Sequence, residues 1–373
     1  MAKRKSHIAQ GNVAPSPLSE VHRRSDLPGK GKVPKRAADL AFNKYLYLRA
    51  KGTKAPRVEA HSIGAEKNVS AWRIPLSADI VEGLPGRRME AITPDDPKAE
   101  MSDAPLSLDS HRPNWVSLAF SPRLAAPHQA RFLRRRNGNR VVPDFIFGSD
   151  NRSVIQPLSY PWFCVGRLRV EVQGAFAWGG AGALVGENIV LTASHLIPWF
   201  AAASGFSWRI TFTPGSYDDV SVVGEGYQSD VDEVRGYPGF CQGDDMAILK
   251  LYEPLGYGLG YFGYATYNDA WEDEPYWTLV GYPSAIAGGD RPTSQSNIAV
   301  LDDDSDGEGT ELEHNGDATA GNSGGPLFGW WDNSPRVIGT HSGGEINFLE
   351  GTNNVAAGGR ALSRLISWGR RHW

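Results

Sequence analysis

The sequence has little cysteine and no long apolar run, and each absence excludes a class of protein. Only two cysteines, Cys164 and Cys241, occur among 373 residues, too few for the dense disulfide framework of small secreted domains. The sequence leaves open whether the two form a disulfide. No run of about 18 apolar residues occurs, so we predict no transmembrane helix and no membrane association. The fold must therefore be held by a hydrophobic core.

The first residues carry no standard secretory signal. Residues 1–7 are basic, but the apolar segment of about 7–15 residues that such signals require does not follow them. The nine histidines show no ligand spacing with cysteine or carboxylate residues. The sequence therefore predicts no metal site and no cofactor, and these residues leave the cellular location open.

Charge divides the chain into two unlike parts. Residues 1–149 hold 26 Lys and Arg against 14 Asp and Glu, a net charge of +12, whereas residues 150–373 hold 12 against 28, a net charge of −16. Residues 1–60 are also rich in Pro, Gly and basic residues, a composition typical of weakly ordered chain. We predict a basic, weakly ordered N-terminal extension over residues 1–144 and a folded domain over residues 145–373.

Short β-rich runs alternate with turn residues throughout the second part. Examples are residues 162–172, 182–192, 208–213 and 245–251, and no helix-length amphipathic stretch lies between them. This pattern favours an all-β barrel or sandwich over a parallel α/β sheet. At the end of the chain, Leu362, Leu365 and Ile366 share one helical face, which predicts a short C-terminal helix.

Three short motifs in this part contain residue types that are used in nucleophilic catalysis. Each alone has an ordinary structural explanation: a buried histidine at a strand end, an exposed turn aspartate and a tight turn. Glycines beside the serine allow a turn that exposes its hydroxyl and aims backbone N–H groups at one point. The motifs are Thr192-Ala193-Ser194-His195, Asp245-Met246-Ala247-Ile248-Leu249 and Gly321-Asn322-Ser323-Gly324-Gly325-Pro326.

The three motifs together are far more specific than any one of them. Serine is a weak nucleophile unless a base takes its proton and an acid orients that base. The order His195, Asp245, Ser323, with gaps of 50 and 78 residues, is the chain order of chymotrypsin and differs from that of subtilisin and the α/β-hydrolases. The sequence therefore predicts a Ser-His-Asp triad.

On these motifs the sequence resembles the chymotrypsin-like serine peptidases, and among them the bacterial glutamyl endopeptidases. The likeness covers about residues 145–373. It implies two antiparallel β-barrels and a serine endopeptidase that cleaves polypeptides through an acyl-enzyme. Further stretches that resemble this branch are Phe147-Gly148-Ser149-Asp150-Asn151-Arg152 with Tyr160-Pro161-Trp162, Gly281-Tyr282-Pro283, Asn322 where mammalian members have aspartate, and Val337-Ile338-Gly339-Thr340-His341-Ser342-Gly343-Gly344.

The resemblance also implies a role for each motif residue. His195 is the general base and later the general acid, Asp245 orients it, and Ser323 attacks the scissile carbonyl. The N–H groups of Gly321 and Ser323 form the oxyanion hole. Asp244 is adjacent to Asp245, but the family pattern favours the aspartate that directly precedes the Met-Ala-Ile strand.

The substrate pocket is implied by alignment on Ser323 and the 337–344 run. A histidine at position 341 goes with an acidic P1 residue in this branch, because imidazole can bind a carboxylate. Asp317 and the negative charge of the domain favour a basic P1 residue instead. Cleavage after Glu or Asp is our first prediction, and cleavage after a basic residue is the alternative. The predicted pocket residues are Asp317, Ala318, Thr319, His341, Ser342 and Gly343.

The charge of residues 1–144 predicts that they dock on the acidic domain, as an inhibitory propeptide would. Cleavage of such a zymogen after Arg140 would free Val141, although Asn322 does not support the mammalian pairing between a new N-terminus and an aspartate. A basic arm for acidic surfaces is the alternative, with aromatic residues too sparse for specific nucleic-acid binding.

The family implies secretion, and we expect a monomer. The main alternative from another class is a catalytically silent protease fold that binds rather than cleaves.

Overall fold

The computed structural model describes residues 13–39, 45–51, 61–66, 69–75, 85–93, 103–125, 145–224, 226–239, 242–347 and 351–373. The predicted cleavage after Arg140 and the second cysteine, Cys241, lie outside the described residues. Cys164 is a free, buried thiol. Its Sγ donates to the Gly260 carbonyl at 3.3 Å, and burial raises its pKa well above the usual value.

The described chain is mostly β-structure with few helices, which confirms the predicted fold class. The helices are α1 (Leu18–Val21), α2 (Lys35–Asp39), α3 (Trp199–Ser204), α4 (Leu255–Leu259) and α5 (Gly359–His372), with short 3₁₀ turns at Trp162–Cys164, Ser194–Leu196, Asp269–Trp271 and Ala287–Gly289. The strands are β1 (Tyr45–Lys51), β2 (His61–Glu66), β3 (Val69–Pro75), β4 (Arg88–Ala91), β5 (Ser107–Leu108), β6 (Arg123–Leu124), β7 (Ser153–Gln156), β8 (Val165–Val172), β9 (Ala175–Leu184), β10 (Ile189–Thr192), β11 (Trp208–Pro214), β12 (Ser216–Tyr217), β13 (Val220–Ser221), β14 (Ser229–Gly236), β15 (Ala247–Leu251), β16 (Gly263–Ala265), β17 (Trp277–Gly281), β18 (Thr293–Ile298), β19 (Val300–Asp306), β20 (Gly309–His314), β21 (Pro326–Trp331), β22 (Ser334–Asn347) and β23 (Gly351–Gly358).

Six antiparallel strands close into a barrel. Their order is β11-β8-β9-β10-β15-β14, and β14 pairs back onto β11. Along β8, Leu168 and Val170 are buried whereas Arg169 between them is exposed. This period of two turns one face of the strand to the core and the other to solvent. Strand β10 is buried at each of its four positions, and its one polar residue, Thr192, donates its hydroxyl to the Ala181 carbonyl at 2.8 Å.

The second half of the domain is a larger sheet. Its strands follow the order β19-β20-β23-β22-β21-β17-β18-β7-β6, with β16 beside β22 and β5 beside β16. Its core combines aliphatic side chains with three buried tryptophans, Trp271, Trp277 and Trp331, whose ring centroids lie 5.6–6.3 Å apart. The barrel and this sheet meet where the three sequence motifs lie. The Ser323 carbonyl, just before β21, accepts the N–H of Ala181 in β9, and Ser342 in β22 donates to Asp245, just before β15.

Several described segments of residues 1–144 pack against the two halves, in contrast to the weak order that their composition predicts, whereas β1, β2 and β3 form a separate three-stranded sheet. Strand β4 extends the barrel by parallel pairing with β14, and β5 and β6 pair with strands of the second sheet. Leu18, Val21, Leu118 and Phe120 are at most 2% exposed. These apolar residues are scattered without a helical or strand period, so the sequence contains no sign of their order. Residues that are buried against the surface of the folded domain need no such period.

The predicted C-terminal helix is confirmed as α5. Leu362, Leu365 and Ile366 are buried on one face, and the helix continues through Gly369. A Cβ at that position would lie 2.7 Å from Ile248 Cδ1, so the glycine allows close packing of the helix on the barrel. No helix in the described part of the chain is long and apolar enough to cross a membrane.

Candidate active site

Strand pairing brings the first two motif residues together. Strands β10 and β15 are antiparallel neighbours, with Thr192 opposite Ala247. The end of β10 therefore lies beside the start of β15. His195 follows β10 within the 3₁₀ turn Ser194–Leu196, and Asp245 precedes β15 by two residues. The 50-residue gap in sequence thus closes to direct contact.

Asp245 binds His195 through both of its carboxylate oxygens. The Oδ2 atom lies 2.7 Å from Nδ1 of the ring, and Oδ1 accepts the backbone N–H of His195 at 2.8 Å. The hydroxyl of Ser342 also donates to Oδ2. Asp245 is fully buried, and a buried carboxylate without such donors would cost several kcal/mol. These contacts direct Nδ1 toward the carboxylate and leave Nε2 on the opposite edge of the ring.

Asp244, the neighbouring acid, faces a different part of the molecule. Its Oδ2 accepts the backbone N–H of Glu308 at 3.2 Å, and a Cβ on Gly307 would lie 2.3 Å from that oxygen. Burial raises the pKa of Asp244, and the nearby Asp306 and Asp245 act in the same direction. The two adjacent aspartates therefore point to different places: Asp245 contacts His195, whereas Asp244 contacts the backbone of Glu308.

Ser323 lies on a tight turn that only glycine permits. Gly321 has φ +102° and Gly324 has φ +80°, values in the region that favours glycine. A Cβ on Gly321 would lie 2.3 Å from the Tyr282 carbonyl oxygen, and one on Gly324 would lie 2.1 Å from the Ala181 carbonyl oxygen. Substitution at either position is therefore both strained and blocked by backbone.

Backbone hydrogen bonds orient the amides of this turn. The Ala320 carbonyl accepts from the N–H of Ser284 at 2.8 Å. Because the N–H of a trans peptide points opposite to its C=O, the Gly321 N–H points away from Ser284. The Asn322 carbonyl is likewise used, by the N–H of Gly325 at 2.8 Å. Neither the Gly321 N–H nor the Ser323 N–H donates to an acceptor in the described part of the chain, so both are free to bind an oxyanion.

The serine turn is attached to the barrel next to His195. The Ser323 carbonyl accepts the N–H of Ala181 at 2.8 Å. A Cβ on Gly180 would lie 2.9 Å from this carbonyl and 2.5 Å from Leu196 Cδ1. Ser323 and Leu196, the residue after His195, therefore both lie close to Gly180, which brings the serine turn next to the histidine turn.

The six predicted pocket residues have different environments. Ala318 is buried, and its N–H binds the Phe145 carbonyl at 2.9 Å. Thr319 Oγ1 accepts from Arg152 at 2.8 Å. Ser342 binds Asp245, a role that the sequence did not indicate, and Gly343 lies opposite Val355 in the β22–β23 pair.

Asp317 does not present a free carboxylate. The side chain is fully buried, and its oxygens accept the backbone N–H groups of Phe147 at 2.8 Å and Asn151 at 2.7 Å. Its own N–H binds Gln295. This arrangement anchors residues 145–152 and argues against a role in binding a basic P1 side chain.

His341 is buried and pairs with a second histidine, His314. The ring centroids are 5.6 Å apart in an edge-on geometry. Nδ1 of His314 accepts the N–H of Gly316 at 3.1 Å, so its proton is on Nε2. Burial, reinforced by His341, lowers the pKa of His314 well below the usual value. His314 Nε2 has no hydrogen-bond partner in the described part of the chain, which leaves a buried donor beside His341.

Sequence reasoning missed His314 and Arg152. His314 ends β20, and only its distance from His341 in the fold identifies it. In the sequence, Arg152 stood out only as part of the stretch that resembles the glutamyl endopeptidases. The acid two residues earlier, Asp150, was a local signal of the ion pair that the two residues form.

A profile of the Trypsin family matches residues 155–360, more than half of the chain. A glutamyl endopeptidase of Bacillus licheniformis is 27% identical over 218 residues, which are 57% of this chain and 62% of that protein. A glutamyl endopeptidase of Staphylococcus epidermidis is 27% identical over 225 residues, 56% of this chain and 70% of that protein. The chain thus spans less than two thirds of the length of the first of these relatives.

Solved structures also align with this chain. A Glu endopeptidase in complex with MPD gives a TM-score of 0.47 at 18% identity, covering 61% of this chain and 100% of that chain. A thermostable serine protease from an extremophilic microorganism gives a TM-score of 0.41 at 17% identity, covering 56% of this chain and 98% of that chain.

Proposed function

Because the chain belongs to the trypsin family, we propose that it is a serine endopeptidase that hydrolyses polypeptides through His195, Asp245 and Ser323. The observation that carries this proposal is the attachment of His195 to the fully buried Asp245 at two points. A histidine held in this way keeps Nε2 available to take the proton of a serine hydroxyl. Relatives named glutamyl endopeptidase support the same class.

The reaction follows from the arrangement of these groups. His195 removes the proton from Ser323 as Oγ attacks the scissile carbonyl, and the carbonyl oxygen becomes negatively charged. The N–H groups of Gly321 and Ser323 bind that oxygen. His195 then gives the proton to the leaving amine, and the acyl-enzyme forms. In the second half of the reaction His195 takes a proton from water as the water attacks the acyl-enzyme, and then returns a proton to Ser323 as the acid product leaves.

Covalent labelling tests the mechanism directly. A serine-directed phosphonate should add one adduct mass to the intact protein and map to the peptide containing Ser323. Ser323→Ala should abolish the label and peptide hydrolysis, while Ser204→Ala, an exposed serine on α3, should keep both. A wild-type protein that binds peptides but neither labels nor cleaves would favour the alternative, a silent binding module.

We further propose that the enzyme prefers to cleave after an acidic P1 residue. The buried Nε2 of His314 lacks an acceptor in the described part of the chain, a condition that costs about 1–3 kcal/mol. A P1 carboxylate bound between His314 and His341 would remove that cost. The rival with a basic P1 loses its main support, because both oxygens of Asp317 are occupied by backbone N–H groups.

A panel of peptides that differ only at P1 separates these alternatives. We expect the highest kcat/KM for Glu, followed by Asp, with Lys and Arg far lower. A panel led by Arg or Lys would overturn the acidic preference without affecting the serine mechanism.

A further inference from the structure

A buried arginine contacts the turn that carries the nucleophile. We define the strap as residues 145–152 and the serine loop as residues 317–323. The Nη1 atom of Arg152 donates to Thr319 Oγ1 at 2.8 Å and to Asn322 Oδ1 at 3.1 Å. The Arg152 side chain is only 2% exposed. A charged group buried this deeply must be paired, because an unpaired buried charge is strongly destabilising.

Asp150 fixes the direction of that guanidinium. Its two oxygens accept from Nε at 2.9 Å and from Nη2 at 2.8 Å of Arg152, the two-point geometry that a planar guanidinium forms with carboxylates. Burial alone would raise the pKa of Asp150, but the hydrogen bonds and charge of Arg152 outweigh it and lower the pKa. Four of the five N–H donors of Arg152 are therefore used: two toward Asp150 and two toward the serine loop.

On the loop side, Asn322 receives two donors at one atom. Oδ1 accepts from Arg152 and from the backbone N–H of Thr319 at 3.2 Å. The backbone N–H of Asn322 in turn binds the Thr319 carbonyl at 3.0 Å. Asn322 is 1% exposed, so these bonds have no competition from water. They close the turn between Thr319 and Asn322.

This turn contains the peptide whose N–H faces the reacting carbonyl. The bond between Ala320 and Gly321 lies between the two residues that Arg152 contacts, and Gly321 has a backbone conformation that has to be held, at φ +102°. Glycine at this position allows other conformations at little cost. The strap also holds the start of the serine loop, because two backbone N–H groups of the strap, those of Phe147 and Asn151, donate to Asp317.

We propose that Arg152 is a positioning residue that holds the serine loop, and with it the Gly321 N–H, in the conformation that binds the oxyanion. Arg152 contacts Thr319 and Asn322 but neither of the two N–H groups, so its effect is exerted through the loop. This inference rests on the proposed peptidase function, and it assigns to an internal side chain of the strap a contribution to the rate of that reaction.

The test compares Arg152→Met with Arg169→Met. Arg169 also forms an ion pair two residues away, with Glu171 at 2.9 Å, but it lies exposed on β8. We expect Arg152→Met to lower kcat/KM by about 10–100-fold, less than the about 10²–10³-fold loss of an oxyanion donor. The effect should fall mainly on kcat, because the donors act in the transition state. Arg169→Met should stay within about twofold of wild type.

Hydrogen–deuterium exchange gives a readout that does not require activity. The amides of the serine loop should exchange faster in Arg152→Met than in wild type or Arg169→Met. Arg152→Lys, which keeps the charge but lacks the planar fork, should recover part of kcat. If Arg152→Met does not fold, Asp150→Asn tests the same contact by loosening the guanidinium, and it should shift kcat and loop exchange in the same direction by a smaller factor.

Two results would overturn the inference: loop exchange equal to wild type in a folded Arg152→Met or Asp150→Asn, or a kcat within about twofold of Arg169→Met. Failure of the proposed function looks different. In that case wild type would hydrolyse peptides no faster than Ser323→Ala, while the exchange measurement would still decide whether Arg152 holds the loop.

Discussion

Asp245 holds His195 at two points, through the ring Nδ1 at 2.7 Å and through the backbone N–H at 2.8 Å. The backbone contact fixes the position of the residue, and the ring contact fixes its tautomer and orientation. Replacing the acid by an amide should therefore preserve the position of His195 but disturb its protonation.

We predict that Asp245→Asn lowers kcat by about 10⁴-fold, the loss found for the same exchange in the serine-protease triad, with little change in the circular dichroism spectrum. The matched control is Asp244→Asn, the same change one residue earlier, whose side chain faces Glu308. It should stay within a few-fold of wild type. A large loss from Asp244→Asn and a small one from Asp245→Asn would reverse the assignment.

The sequence was sufficient to predict the β-rich fold and the C-terminal helix, and it singled out the three motifs on which the proposed function rests. Each of these leaves a local signal: Leu362, Leu365 and Ile366 repeat with a helical period, and glycines surround Ser323. The structure brings His195 and Asp245 together through the pairing of β10 with β15, as a shared role in catalysis requires.

What the sequence could not predict depends on contacts between distant residues. Arg152 binds Asn322 across 170 positions of the chain, and no periodicity encodes such a contact. The same holds for Gly369, which lies inside α5 and leaves room there for Ile248 of the barrel. Asp317 could not be interpreted correctly for the same reason, since the N–H groups that occupy it come from the strap.

The histidine pair gives a prediction about substrate preference. His314→Leu removes the buried Nε2 donor and should lower kcat/KM for a Glu P1 peptide by about 10–100-fold, the effect of losing a hydrogen bond to a charged group. A peptide with Leu at P1 should change by no more than a few-fold. His111→Leu, an exposed histidine beside Tyr261, serves as the control. An equal loss for both peptides would indicate a general structural role for His314.

A buried acid far from the motifs predicts a dependence of stability on pH. Burial raises the pKa of Glu253 to about 8, above its value of about 4.3 in an unfolded chain. Between these values the folded state binds more protons than the unfolded state, so the free energy of unfolding falls as pH rises. The fall is at most about 1.4 kcal/mol per pH unit from this group.

Glu253→Gln isolates this contribution, because the amide cannot ionise. We expect chemical denaturation to show a smaller decline in the free energy of unfolding between pH 5 and 8 for the variant, and a variant that is the more stable of the two at pH 8. Parallel profiles for both proteins would show that Glu253 does not titrate in this range.

The last prediction concerns the N-terminal segment, which could act as an inhibitory propeptide or as a stabilising part of the fold. As an inhibitory propeptide, residues 1–144 would leave behind a stable and more active fragment when removed. The structure has Leu18, Val21, Leu118 and Phe120 buried at 2% exposure or less and β4 paired with β14 of the barrel. Burial of such side chains stabilises a fold by about 1.5–3 kcal/mol each, so their removal exposes a large apolar surface on the remaining domain.

We therefore expect the 145–373 fragment to unfold at a clearly lower temperature than the full chain and to be no more active per labelled Ser323. Phe120→Ala in the full chain should cost about 3–5 kcal/mol, while Val33→Ala, at a residue 55% exposed, should cost almost nothing. A fragment that matches the full chain in thermal stability and exceeds it in activity would instead support the propeptide role. The phosphonate titration separates the two quantities, because it counts competent sites independently of how many molecules remain folded on heating.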